Sequence, residues 1–410
     1  MNTLHHLWVR SLLLTLLAFW ALNSQAQLTI LHNFTGGPGD GANPYGSLCP
    51  SGDILYGMTY NGGVSNFGVV FTINTDGSGY TNLHEFTGGP NDGRNPYGSL
   101  VRIGGTLYGM TRYGGDNDYG VVFEVSSTGS GYSHLHEFSG GPGDGREPFD
   151  SLGRAGFTLY GSTYWGGASD DGVLFSIETD GSNYTNLHEY AGSPGGGNHP
   201  KGTPWPTGGL VYDLTRIGGA SDQGAVCRVN MDGTGFTLLH SFAGGAGDGR
   251  YPEGSPTLAG STMYGTTTAG GASNGGVVFR MIVDGTGYTN LHEFAGGTGD
   301  GSDPWGEITR DVSFLYGTTS QGGAYDNGVV FRMGFDGSDY TNLHEFSGTT
   351  SDGSTPRGAL YHDGAMLYGM TVYGGTNNMG VIFATPIPEP CAGFAVALAL
   401  LILTPRRKAR

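Results

Sequence analysis

Reactive chemistry in this chain would be sought first in its histidines, of which there are 12 among 410 residues. Seven of them follow a leucine at a constant spacing of 52 residues: His32, His84, His136, His188, His240, His292 and His344. An imidazole can ligate a metal or move a proton, but a site needs one asymmetric cluster and not seven equivalents. The series is therefore expected to hold the fold together, with each ring satisfied by a partner. His134, His199 and His362 stand in different repeats and show no metal-ligand spacing.

The aspartates divide in the same way. Asp40, Asp92, Asp144, Asp248, Asp300 and Asp352 each precede a glycine in the loop leading into a repeat, and repeat four breaks the series with Gly195-Gly196-Gly197. A ring of such carboxylates on one face could bind Ca²⁺ through oxygen ligands or attract a basic partner. Turn chemistry accounts for an Asp-Gly pair as well, and no dense EF-hand type loop occurs. Calcium is thus the single cofactor left open. A second series, Asn66, Asp118, Asp170, Asp222, Asn274, Asp326 and Asn378, interchanges amide and acid. That interchange predicts a side chain accepting a backbone hydrogen bond, not a required charge.

Individuality is expected where the copies differ. The position after a repeated proline reads Tyr45, Tyr97, Phe149, Lys201, Glu253, Trp305 and Arg357, and the position before a Gly-Gly pair reads Asn61, Tyr113, Trp165, Ile217, Ala269, Gln321 and Tyr373. Aromatic side chains on a rigid rim suit stacking on sugar rings or capture of a peptide, and packing between repeats would use them too. The binding candidates are accordingly Tyr45, Tyr97, Tyr113, Phe149, Trp165, Lys201 and Trp305. For catalysis the divergent repeat four supplies His199, Lys201, Trp205, Asp213 and Arg216, the set a glycosidase or lyase would draw on. They can act together only if two or three converge within hydrogen-bond reach. No nucleophile elbow, Walker loop, His-Glu-x-x-His or paired-cysteine motif is present, so no catalytic residue is assigned.

These positions need a scaffold. In the second copy four runs, Ser99 to Ile103, Thr106 to Arg112, Val121 to Ser126 and Ser133 to Phe138, are rich in β-branched and aromatic residues and bounded by glycine. Four strands per 52 residues is the economy of a propeller blade. The chain opens with a fourth-strand sequence, Leu28 to Phe34, and the repeats end after a third-strand sequence, Gly380 to Ala384. Joining them completes a seventh blade and removes free sheet edges. The expected fold is all-β: a single seven-bladed β-propeller of four-stranded blades, closed by the N-terminal strand. A Gly-Gly pair after the second strand and an aromatic third strand resemble the kelch blade, although its strand-four tryptophan is missing.

The ends differ from the repeats. Arg10 and the apolar run Ser11 to Leu22 lead to Ser24-Gln25-Ala26, a signal peptide over 1–26 to be removed by signal peptidase. Pro388-Glu389-Pro390, an apolar run from Cys391 to Thr404 and the basic stop Arg406-Arg407-Lys408-Ala409-Arg410 resemble a PEP-CTERM sorting signal of Gram-negative bacteria. That resemblance implies recognition by an exosortase and transient anchoring in the inner membrane by a transmembrane segment; the position after the motif, usually Ser or Thr, is Cys391. The domains expected are 1–26, the propeller over 27–385 and the sorting signal over 386–410.

Five of the 18 basic residues fall in these ends, and the whole chain already carries a net charge of −17. An acidic body of this kind excludes nucleic acid as a partner. Cys49 and Cys227 lie in different repeats, too far apart for a disulfide to be expected.

Leu107-Tyr108-Gly109-Met110-Thr111, Gly114-Gly115 and Gly120-Val121-Val122-Phe123, recurring in all seven copies from Leu28 to Pro386, resemble the Gloeo/Verruco (GloVer) tandem repeat. That resemblance implies export and surface anchoring and brings no catalytic residues with it. The expected function is an exported binding or structural protein of the cell surface or matrix, with exopolysaccharide or another glycan as partner. The alternative is a secreted carbohydrate-active enzyme with its site on the top face.

Overall fold

The computed structural model describes residues 28–193 and 195–388. The signal peptide, most of the sorting signal and its apolar segment lie outside the described residues. Within them the chain is all-β, with forty strands and no helix long and apolar enough to cross a membrane.

Each repeat folds as the period-two pattern of its strands requires. In the second blade Val101–Ile103, Thr106–Thr111, Val121–Ser126 and Ser133–Glu137 form one antiparallel sheet in chain order. The first strand starts two residues later than expected. The Ser99 N–H leaves the ladder and donates across to Ser151 Oγ of the next blade at 2.7 Å. Between the third and fourth strands the register shifts at Val122/Phe123, a bulge found in all seven blades. Bulges increase local twist, which a radial blade needs.

Seven sheets become a ring at the N-terminal strand. Thr29–Asn33 pairs antiparallel with Val381–Pro386, so the last blade takes its outer strand from the start of the chain. Alternate residues of each strand then face the two neighbouring blades. Leu55, Val69, Phe71 and Ile73 meet Tyr368, Met370 and Ile382 of the last blade. Tyr56, Met58 and Val70 meet Leu107, Val121 and Phe123 on the other side. Seven apolar clusters fill seven interfaces, where an open solenoid of seven repeats would have six.

The repeated histidines and aspartates meet across these interfaces. His32 Nε2 lies 3.0 Å from Asp40 Oδ1, and its ring stacks on Tyr80 of the next blade at 3.9 Å. Asp40 also accepts from the Thr35 N–H and hydroxyl and from the Gly41 N–H. Four donors occupy its four lone-pair directions. Burial pushes its carboxyl up, but the bonds from His32 and Thr35 outweigh it and hold the group below the usual range. Asp92, Asp144, Asp248, Asp300 and Asp352 repeat the His contact, and Asp144 is held down at about 2. These carboxylates, candidates for a calcium ring, are each turned onto a histidine and the local backbone. Among the described residues no three His, Cys, Asp or Glu side chains gather as a metal site.

Candidate functional site

The loops that differ between repeats are brought to one face by two devices. In the loop into the second blade, Gly93–Arg94 pairs with Tyr113–Gly114 of the loop between its second and third strands. The Asx series shapes that second loop: Asn66 and its equivalents adopt φ between 56° and 60°, and Asn66 Oδ1 accepts the Gly62 N–H at 2.9 Å. This is the backbone role expected for an amide or an acid alike.

The residue before each repeated proline is the second device. Asn43, Asn95, Glu147, His199, Tyr251, Asp303 and Thr355 all have φ between 53° and 60°. For Tyr251 and Thr355 this left-handed conformation is a genuine strain. It is held by a bond back to the preceding blade, such as Tyr251 N–H to Gln223 O at 2.8 Å. The chain then turns over the proline and points the following side chain inward.

The seven side chains after the prolines consequently form a ring at the mouth of the central channel, over a cavity of about 350 Å³. Tyr45 stacks on Tyr97 at 4.5 Å, and Tyr97 meets Phe149 edge-on at 5.3 Å. Lys201 lies 4.3 Å from the Trp305 ring centre and Arg357 lies 4.1 Å from it. Glu253, 4% exposed, takes Lys201 on one oxygen and Arg216 Nε on the other, the latter at 2.6 Å. Burial holds the Lys201 ammonium below its usual range, and the like charges of Arg216 and Arg357 add to this against the pull of Glu253. Burial likewise pushes the Tyr45 phenol up to about 12.

Five of the seven binding candidates, Tyr45, Tyr97, Phe149, Lys201 and Trp305, therefore line one cavity. The other two stand outside it. Tyr113 packs 4.7 Å from both Arg94 and Arg112, and Trp165 lies against Arg146 and His199.

Below the ring the channel narrows on glycine. A side-chain carbon on Gly46 would come within 2.2 Å of Gly98 O, and one on Gly98 within 2.4 Å of the Asp150 backbone. The contact recurs at Gly254, Gly306 and Gly358, the last reaching back to Gly46. Asp150 stands where its six equivalents are glycine, and Glu307 where the others are Ser, Thr or Ala. Both carboxyls line the cavity. Asp150 accepts from the Ser151 N–H at 2.7 Å and from the Thr203 hydroxyl at 3.0 Å, and Glu307 accepts from Thr257. Burial pushes Asp150 up to about 7 and Glu307 up to about 8, and the negative charge of Asp150 raises Glu307 further. The reading of the repeats missed both. The signal lay in an acid standing in a column that is glycine elsewhere, for Asp150, or small and uncharged elsewhere, for Glu307.

A family model described as the Gloeobacter/Verrucomicrobia repeat matches residues 18–212 and again 199–392. The chain belongs to the Gloeobacter/Verrucomicrobia repeat family. No curated protein matches it significantly. Among solved structures it is similar to an oligogalacturonate lyase in complex with manganese, at TM-score 0.56 and 11% identity, covering 89% of this chain and 94% of that one. It is similar also to a candidate 6-phosphogluconolactonase from Bacteroides fragilis, at TM-score 0.50 and 18% identity over 78% of this chain and 89% of that one. At such identities the likeness is one of fold alone.

Measured against the other copies of the family repeat, repeat four does not assemble the catalytic set drawn from it. Lys201 and Arg216 meet at Glu253. His199 is instead wedged between Tyr164 and Trp165 with neither ring nitrogen bonded, and burial pushes it down to about 4. Trp205 packs against the core between blades four and five. Asp213 is fully buried within the blade, accepting from Tyr190 Oη at 2.6 Å and the Leu214 N–H at 2.9 Å.

Asp213 belongs to a concerted exchange. In the other six blades its position is glycine, packed under a phenylalanine whose ring tip would lie 2.4 to 2.7 Å from any added side-chain carbon. That phenylalanine is Cys227 in blade four, and the phenylalanine that packs on it elsewhere is Tyr190. The smaller Cys227 clears the space that Asp213 fills, and Tyr190 supplies its hydrogen bond. Burial pushes the Asp213 carboxyl up to about 8, so it holds a proton at neutral pH.

Proposed function

We propose that this chain is an exported cell-surface or matrix protein whose propeller mouth binds a glycan, serving as a binding or structural part and not as an enzyme. The carrying observation is a division of labour within the repeat. The side chains common to the copies fasten blades together, whereas the seven that differ after the repeated proline line a single cavity. Function on a rigid scaffold is carried by such variable loop positions. Export rests on the sequence of the two ends, with signal peptidase and an exosortase-type enzyme as processing partners and the C-terminal segment as a transient inner-membrane anchor. A blade resembling the kelch blade fits the same reading.

A glycan array probed with the mature protein, with and without Ca²⁺, tests the proposal. Binding that is lost in Trp305→Ala is the expected result. Absence of glycan binding under both conditions overturns the binding role. Turnover of a bound glycan would favour the carbohydrate-active alternative, for which the raised carboxyls of Asp150 and Glu307 in the cavity are the motive.

A further inference from the structure

The mouth holds more positive charge than its acids neutralise. Lys201 and Arg216 share the single carboxylate of Glu253, leaving one charge in excess. Arg357 adds a second, because no carboxylate among the described residues pairs with it, and the neighbouring Asp303, turned onto Trp305 Nε1 and the Ser320 hydroxyl, offsets only part of the excess. Its Nη1 reaches only the Tyr97 hydroxyl, at 3.4 Å, and its Nε is buried without an acceptor. A guanidinium carries five donors in a planar fork, and one this poor in acceptors gains most from an arriving anion.

The aromatic ring fixes how that fork is presented. Trp305 at 4.1 Å and Tyr45 at 5.4 Å hold the flat guanidinium by its face, which leaves the in-plane donors to bind something else. The two carboxyls deeper in the cavity offset this excess only in part, since burial pushes Asp150 up to about 7 and Glu307 up to about 8. The patch is also local: the protein as a whole carries −17, so an anion finds its favourable potential at the mouth and not over the surface at large. A cavity of about 350 Å³ admits one or two sugar residues and not the bulk of a polymer.

We infer that the mouth is an anion site that takes the carboxylate of an acidic sugar, with Arg357 as its anchor. This rests on the glycan reading above and names the class of glycan. A carboxylate accepts two parallel bonds from the fork, while its sugar ring occupies the cavity beside Tyr97 and Phe149. An inorganic phosphate offers the fork similar oxygens and serves as the control.

The test is calorimetric titration of the mature protein at low salt with a uronic-acid disaccharide, a neutral disaccharide of the same size, and inorganic phosphate. The acidic sugar should bind at least tenfold more tightly than either of the others and weaken as salt is raised. Arg357→Gln should weaken the acidic sugar roughly tenfold to a hundredfold and the neutral one far less. Circular dichroism establishes that the variant is folded, and Lys201→Met provides a second removal of charge should it not be. Equal affinity for acidic and neutral sugars overturns this inference while the glycan reading stands. Phosphate binding as tightly as the acidic sugar overturns the sugar part, and failure of every sugar to bind overturns both readings.

Discussion

Reverting the exchange at Asp213, Cys227 and Tyr190 to the pattern of the other blades should produce a strongly non-additive change in stability. Cys227→Phe alone drives a ring tip onto the Asp213 side chain, since in the six sister blades that tip sits 2.4 to 2.7 Å from where a side-chain carbon would stand. Overpacking of this kind costs about 1 to 3 kcal/mol. Asp213→Gly alone strands the buried Tyr190 hydroxyl, at about 1 to 3 kcal/mol, and opens a small void besides. Tyr190→Phe leaves one oxygen of Asp213 without its donor, at a similar cost of about 1 to 3 kcal/mol.

The triple variant restores an apolar cluster that six blades already use, so it should match or exceed the natural protein. The coupling is then on the order of 3 kcal/mol or more, far above the roughly 0.5 kcal/mol scatter expected of independent sites. Urea unfolding followed by circular dichroism measures it. The triple should also remove a pH dependence. The folded Asp213 carboxyl sits at about 8 against an unfolded value of about 4, so the folded state binds the extra proton and stability falls as pH rises between the two. Single losses that simply add up to the loss in the triple would refute the reasoning.

Two further outcomes follow from the same geometry. The aspartates paired with histidine have depressed carboxyls, so their stabilisation is complete above about pH 4 and is lost as pH falls toward the value of about 2 held by Asp144. Because Asp150, Asp213 and Glu307 act with the opposite sign, the melting temperature in a scan from about pH 2 to about pH 9 should peak on the acidic side of neutrality, and a maximum above about pH 8 would contradict this. At the ring closure, Phe34 is fully buried against Phe71, and Phe34→Ala should lower stability by about 3 to 5 kcal/mol, read as a fall in the urea midpoint with little change in slope.

Much of this architecture was legible because the repeat is unbroken by insertion. Strand positions, the closing strand and the backbone role of the Asx series all followed from period-two patterns bounded by glycine. Pairing between the two periodic series was not legible. His32 and Asp40 are eight residues apart, yet their contact depends on a bulge and on the angle between blades, neither of which a strand pattern encodes. The cavity was foreseen in five of its side chains through their variability. Asp150 and Glu307 escaped, and Glu253 was read only as a variable position, because the meaning of an acid there depends on which groups face it across the channel. The catalytic set in repeat four failed for a related reason: residues close in sequence alternate between the mouth and the core along a strand, so Asp213 and Arg216 point to different surroundings.

The stacked contacts between neighbouring blades are not uniform around the ring. Between blades three and four His188 has glycine in place of the aspartate, at Gly196, and stacks on Phe236 in place of a tyrosine. Between blades six and seven His344 keeps Asp352, but Leu28 stands where the stacking tyrosine belongs. These two joints lack part of the latch that the other five possess. The molecule is thus less a uniform wheel than two arcs, blades four to six and blades seven to three, whose joints rest on their apolar clusters and, between blades three and four, on the Tyr190–Asp213 bond in place of the latch.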